Sequence, residues 1–188
     1  KQSGHITTVG FQMYCDLLSI EIQRTKSEGG VIQKAPNVTT SFQPDISSDY
    51  IENMSLRIDY YYRIGSATSV EQLNKIEKEL LDVFGPIPDK TKKLLWVASL
   101  KNRYKSTPVS QIDIQDSVLK VVIQPLNEEE QLVFLSRVGV YKHNVLESVR
   151  FKEMSGGLLG VFLNVSGAED IFELLFDFVH LFDPIDTA

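Results

Sequence analysis

The chain has 188 residues, of which 43% are hydrophobic and 23% charged, enough for one core of ordinary size. No apolar run approaches the ~18 residues of a membrane span, no basic-then-apolar leader supports secretion, and the single cysteine, Cys15, leaves no partner for an internal disulfide and fits a reducing cytoplasm. A formal net charge of −6 argues against a nucleic-acid module, which usually carries a basic face, and suits solubility or a basic protein partner.

The opening Lys1 is not a methionine, and the expectation is that the sequence begins inside a longer protein. Residues 9–26 are predicted to be a helix, with Phe11, Tyr14, Leu17, Leu18 and Ile22 on one stripe and Gly29-Gly30 as its stop. Val38, Thr40 and Phe42 alternate with polar residues as a short strand that Pro44 ends. Asn53 is the expected N-cap of a helix from Met54 to about Gly65, with Leu56, Tyr60, Tyr61 and Ile64 as its apolar face. Ser69 caps a second helix, with Gln72 placed to complete a capping box. Leu73, Ile76, Leu80 and Phe84 form its stripe and Gly85 its stop. After Pro86 and Pro88, Asp89 opens a third helix, with Leu94, Leu95, Val97, Ala98 and Leu100 inward. Short turns between three helices predict that they pack on one another.

Beyond Pro108 the pattern changes. "VSQIDIQ" and "SVLKVVIQ" are strands of a hairpin around Asp116-Ser117. "NEEEQLVFLSRV" is a helix with carboxylates in its first turn, where the helix dipole favours them. "VLESVRFKE" and "GLLGVFLNV" are two further strands joined by Met154-Ser155-Gly156-Gly157. A closing helix buries Ile171, Leu174, Leu175, Phe178 and Leu181. The expected fold is α+β: a helical block followed by an antiparallel sheet of about four strands with helices packed on it.

Little in the chain carries catalytic chemistry. There is no G-x-x-x-x-G-K-[ST], and Gly156-Gly157 lies between strands, which favours a hairpin turn over a phosphate cradle. His5, His143 and His180 are far apart and share no ligand-like spacing, so no metal site is expected. Cys15 reads as a structural thiol, and Glu128-Glu129-Glu130 as a solvated face. One surface is less bland. Glu79 and Asp82 are three residues apart on one face of the second helix, a pair able to accept arginine forks from a partner.

Several stretches resemble bacterial transcription-repair coupling factors. "QSGHITTVGFQMYCDLL" is similar to a signature at the end of that family's motor. Arg57, Tyr61, Arg63 and Ile64 match its R-x-x-x-Y-x-R-I helix. "LLDVFGPIP" and "LLWVASLK" match its L-x-D-R-F-G-P-[LI]-P turn and the helix after it. The resemblance covers residues 2–101 and implies two parts. Residues 1–35 would be the tail of the second RecA-like motor lobe plus a linker, with Gln2 in the glutamine position of the translocation motif. Residues 36–188 would be the C-terminal regulatory domain, not itself an enzyme and needing no cofactor. ATP and Mg would belong to the parent, an ATP-driven cytoplasmic translocase on double-stranded DNA. That parent would push stalled RNA polymerase off a lesion and recruit excision repair through UvrA. The domain would dock on the parent's UvrB-like module and mask the UvrA-binding surface. Glu79 and Asp82 fall on the first two charged positions of the family's E-L-[IL]-D-R docking element, while Val83 stands where an arginine is expected. Tyr50-Ile51-Glu52-Asn53 stands where the family has Y-I-P-D. The alternative is a nucleic-acid accessory module, with Lys1, Arg24 and Lys26 on backbone phosphate.

Overall fold

The structure, a computed structural model, describes residues 35–115, 118–140, 149–164 and residue 181. It divides into two compact units. The described part of the first is Phe42–Arg103; that of the second is residues 35–41 together with those from Tyr104 onward.

The first unit is helical. Helix α1 (Met54–Ser66) starts where Asn53, in extended backbone, accepts hydrogen bonds from the Ser55 and Leu56 amides at 2.9 and 3.2 Å. Helix α2 (Val70–Phe84) starts at Ser69, whose hydroxyl accepts from the Gln72 amide at 3.3 Å. The Gln72 side chain reaches back to the Thr68 amide at 2.9 Å, one residue earlier than the reciprocal bond of a capping box. Gly85, at φ +80°, supplies the turn that ends α2, and its amide bonds the Leu81 carbonyl at 3.0 Å. The Tyr50 hydroxyl donates to the Leu80 and Gly85 carbonyls at 3.0 and 3.2 Å, tying the end of α2 to the segment before α1. Helix α3 (Asp89–Arg103) follows.

The predicted stripes meet in one cluster. Tyr60, Tyr61 and Ile64 of α1, Leu73, Ile76 and Leu80 of α2, and Leu94, Leu95 and Ala98 of α3 are buried, with Ile46, Ile51 and Ile87 from the connecting segments. Leu56 lies on the α1 stripe but remains exposed, because the cluster ends at Tyr60; Phe84 is only partly buried, and Val97 and Leu100 of α3 are buried outside this cluster. Two polar side chains, Asp45 and Thr91, are buried beside this core. Asp45 accepts a hydrogen bond from the Tyr61 hydroxyl, which itself accepts from the Ile46 amide at 2.7 Å. The Thr91 hydroxyl donates to the Asp45 carbonyl at 2.9 Å. Burial, reinforced by the bond to Asp45, raises the Tyr61 phenol above its ordinary range, so it stays a donor.

The second unit is a sheet of five strands: β1 (Asn37–Thr40), β2 (Val109–Ile114), β3 (Val118–Ile123), β4 (Val149–Glu153) and β5 (Leu159–Asn164), in spatial order β1-β2-β3-β5-β4. The four strands expected beyond Pro108 pair antiparallel. The difference from expectation is β1, which joins them as a fifth strand parallel to β2, with Val38 opposite Ile112 and Thr39 opposite Asp113. A parallel pair needs a long crossover, and here the whole helical segment intervenes, so local alternation cannot reveal the partner. Ile112, Ile114, Leu119, Val121, Ile123, Val161 and Leu163 are buried. Between β4 and β5, Gly156 and Gly157 turn the chain at φ +77° and +74°, as a hairpin connection requires. Helix α4 (Glu128–Val140) begins with a reciprocal capping box: Asn127 and Glu130 each accept from the other's amide at 2.8 Å. Glu130 is therefore a capping group and not only part of a solvated acidic run.

Candidate docking surface

Helix α2 buries Leu73, Ile76 and Leu80 on one side and turns Glu79 and Asp82 away from them. The two carboxylates share a face but differ in what surrounds them. Glu79 is held by α1. Arg63 grips it with both terminal nitrogens, Nη1 to Oε1 at 2.7 Å and Nη2 to Oε2 at 2.5 Å. The Tyr60 hydroxyl donates to the same Oε1 at 2.8 Å. The guanidinium also stands over the Tyr60 ring, 5.0 Å from its centroid, and reaches Asp59 at 3.8 Å.

This is the fork geometry in which a planar guanidinium binds a carboxylate best. It holds the Glu79 carboxyl down at about 2, through the bonds from Arg63 first and Tyr60 second. The same pairing raises Arg63. Burial, then the bond to Glu79, raises the Tyr60 phenol. The ion pair lies at the surface, with the Arg63 and Glu79 side chains 34% and 40% exposed.

Asp82 is exposed and makes no hydrogen bond or ion pair among the described residues. Its neighbours Leu81 and Val83 are 52% and 62% exposed, unusual for large apolar side chains. The last turn of α2 holds no basic residue, so nothing on the helix itself offsets the negative end of its dipole there. The predicted pair thus splits into one carboxylate engaged within the unit and one open to solvent between apolar side chains. Arg63 and Tyr60 are the residues that reading α2 alone does not reveal. Their spacing of three on α1 puts them on one face of that helix but does not say which neighbour the face meets.

A second carboxylate is engaged in the sheet unit. Asp113 of β2 accepts from Gln111 at 2.8 and 2.9 Å, from the Thr39 hydroxyl of β1, and pairs with Lys120 of β3 at 3.2 Å. Burial raises this carboxyl, and the three donors more than offset it, leaving it lowered. Gln2, Cys15, His5, His143, His180, Lys1, Arg24 and Lys26 lie outside the described residues. Among the described residues no group of three or more His, Cys, Asp or Glu is placed to hold a metal ion, and no helix is long and apolar enough to cross a membrane.

A family model described as the TRCF domain matches residues 40–132. The transcription-repair-coupling factor of Haemophilus influenzae is 30% identical over 118 residues, which cover 60% of this chain and 10% of that protein. The protein of the same name from Escherichia coli is 28% identical over 118 residues, with the same coverage. The one from Bacillus subtilis is 26% identical over 124 residues, or 65% of this chain and 10% of the relative. The chain therefore spans about a tenth of the length of these relatives. A crystal structure of the C-terminal domain of transcription-repair coupling factor has the same fold. Its TM-score is 0.61 at 21% identity, over 79% of this chain and 92% of that one.

Proposed function

We infer, from the membership of this chain in the TRCF-domain family, that it restrains and docks a larger machine and performs no chemistry itself. The chain is a C-terminal domain of a transcription-repair coupling factor. In this reading the parent is an ATP-driven translocase on double-stranded DNA that removes stalled RNA polymerase and recruits excision repair. The domain docks on the parent's UvrB-like module and covers the surface that UvrA would bind. Gln2 belongs to the coupling motif of the motor, whose ATP and Mg site lies elsewhere in the parent.

The observation that carries this reading is the last turn of α2, where Asp82 has no ionic partner among the described residues and stands between exposed Leu81 and Val83. Protein interfaces combine an apolar centre with polar groups that fix register. Glu79 takes a different part from the one its spacing suggests. With both oxygens bonded to Arg63, it is a positioning residue that holds the partly exposed guanidinium in place beside the Asp82 face of α2. The face is then a mixed pair, Asp82 for a cation of the module and Arg63 for an anion. Val83 adds apolar contact where the family places a charge. An interdomain contact of roughly 3 kcal/mol holds about 99% of molecules closed. Engagement of polymerase and DNA then opens them by favouring the undocked state.

The test is calorimetric titration of this chain with the UvrB-like module of the same parent. Glu79→Lys together with Asp82→Lys is expected to weaken binding at least about tenfold. Tight binding that survives both changes places the docking face elsewhere.

A further inference from the structure

About 200° around α2 from Glu79, at ~100° per residue, Leu81 also faces a groove whose other lining residues the docking reading does not use. The groove has a volume of about 430 Å³ and is lined by Asn74, Glu77, Lys78 and Leu81 of α2, Pro86 and Ile87 of the turn, and Lys92 of α3. The α2 residues fall at i, i+3, i+4 and i+7, one continuous face of the helix. Its floor is apolar: Ile87 is buried, and Leu81 is 52% exposed.

Lys78 and Lys92 stand on its sides, exposed and without an ion pair among the described residues. In a chain of net charge −6, a groove lined by two cations and one carboxylate is a local reversal of sign. We propose that this groove is a second docking site, taking an acidic-apolar peptide segment of a partner protein. One aliphatic side chain of the segment sits on Leu81, Pro86 and Ile87, and flanking carboxylates meet Lys78 and Lys92. Charge complementarity selects this occupant. A basic segment would meet both lysines, and a nucleic-acid strand would leave the apolar floor unfilled. The site borders the Asp82 surface, sharing Leu81 with it and placing Lys78 one helical turn before Asp82, whereas Lys92 on α3 belongs to the groove alone.

The experiment is fluorescence anisotropy of the whole chain with a fluorescein-labelled peptide of about twelve residues alternating glutamate and leucine, enough to span a groove of this kind. Controls are a lysine-for-glutamate isomer and a DNA duplex of similar charge. Sedimentation of the chain alone runs alongside. Saturable binding of the acidic peptide is expected, weakened about tenfold by Lys78→Glu with Lys92→Glu and about fivefold by Leu81→Asp. Glu79→Gln, on the other side of the helix, should leave it within about twofold. All these positions are exposed or half-exposed, and unchanged circular dichroism confirms that each variant is folded.

Absent or equal binding of the acidic and basic peptides overturns the proposal. So does duplex competition that is indifferent to Leu81→Asp, which would make the site a polyanion surface. The chain also exposes an acidic-apolar helix start of its own, Glu128 and Glu129 with Leu132. Self-association abolished by Leu132→Asp would make a second copy the occupant and equally overturn it.

Discussion

The helical unit and the sheet unit each immobilise a surface carboxylate, and they do it for different ends. Asp113 in the sheet draws its donors from three adjacent strands, so its network fastens the parallel edge strand β1 to β2. Glu79 in the helical unit draws both of its donors from one neighbouring helix, and three residues on it leaves Asp82 open beside exposed apolar side chains. The interiors differ as well. The sheet unit has no buried polar or charged residue among those described, whereas the helical unit encloses Asp45 and Thr91. A network that consumes every group it touches builds structure. One that leaves a charge over among apolar neighbours presents a surface.

The largest effect is expected at the helical core. Leu94 is fully buried where the three helices meet, and Leu94→Ala should cost about 2–5 kcal/mol in urea unfolding, with amide protection lost first in Phe42–Arg103. Next comes the buried polar pin. Tyr61→Phe leaves the Asp45 carboxylate without that donor and the Ile46 amide without its acceptor, for about 1–3 kcal/mol by the same measurement. If Tyr61→Phe proves neutral, the pin is not structural and the contrast between the two interiors loses its meaning.

Asp113→Ala tests the sheet side. It should cost about 1–2 kcal/mol and show first as faster amide exchange in β1, because the Thr39 contact is lost. Glu79→Gln is the mildest. The pair is well exposed, so its expected cost is below about 1 kcal/mol at neutral pH. Its signature lies in acid. The folded Glu79 carboxyl, at about 2, lies below its ordinary 4.5. Its contribution is therefore complete above pH 4.5 and disappears as pH falls towards 2. The variant should lose that part of the acid dependence, read from thermal midpoints across this window.

Much of this architecture was legible before any coordinates. The stripes of all three helices, the Asn53 and Ser69 caps and the Gly85 stop follow from local chemistry, and local chemistry is what a linear pattern records. The parallel pairing of β1 was not, because its partner lies beyond the whole helical segment and alternation carries no address. The pairing of Arg63 with Glu79 was hidden for a related reason: sixteen residues and a turn separate them, and no periodicity links two helices. Resemblance supplied the family and drew attention to Glu79 and Asp82. Only the geometry distinguishes the engaged carboxylate from the open one.

The most direct measurement is the affinity of Asp82→Asn for the UvrB-like module, made beside its thermal midpoint. Asp82 makes no hydrogen bond or ion pair among the described residues, so the midpoint should move by less than the ~0.5 kcal/mol typical of a surface change. Loss of a charge-assisted contact worth about 1.5–3 kcal/mol should weaken binding by roughly ten- to a hundredfold. An unchanged affinity with an unchanged midpoint would contradict the account, because the open carboxylate of α2 would then meet no partner.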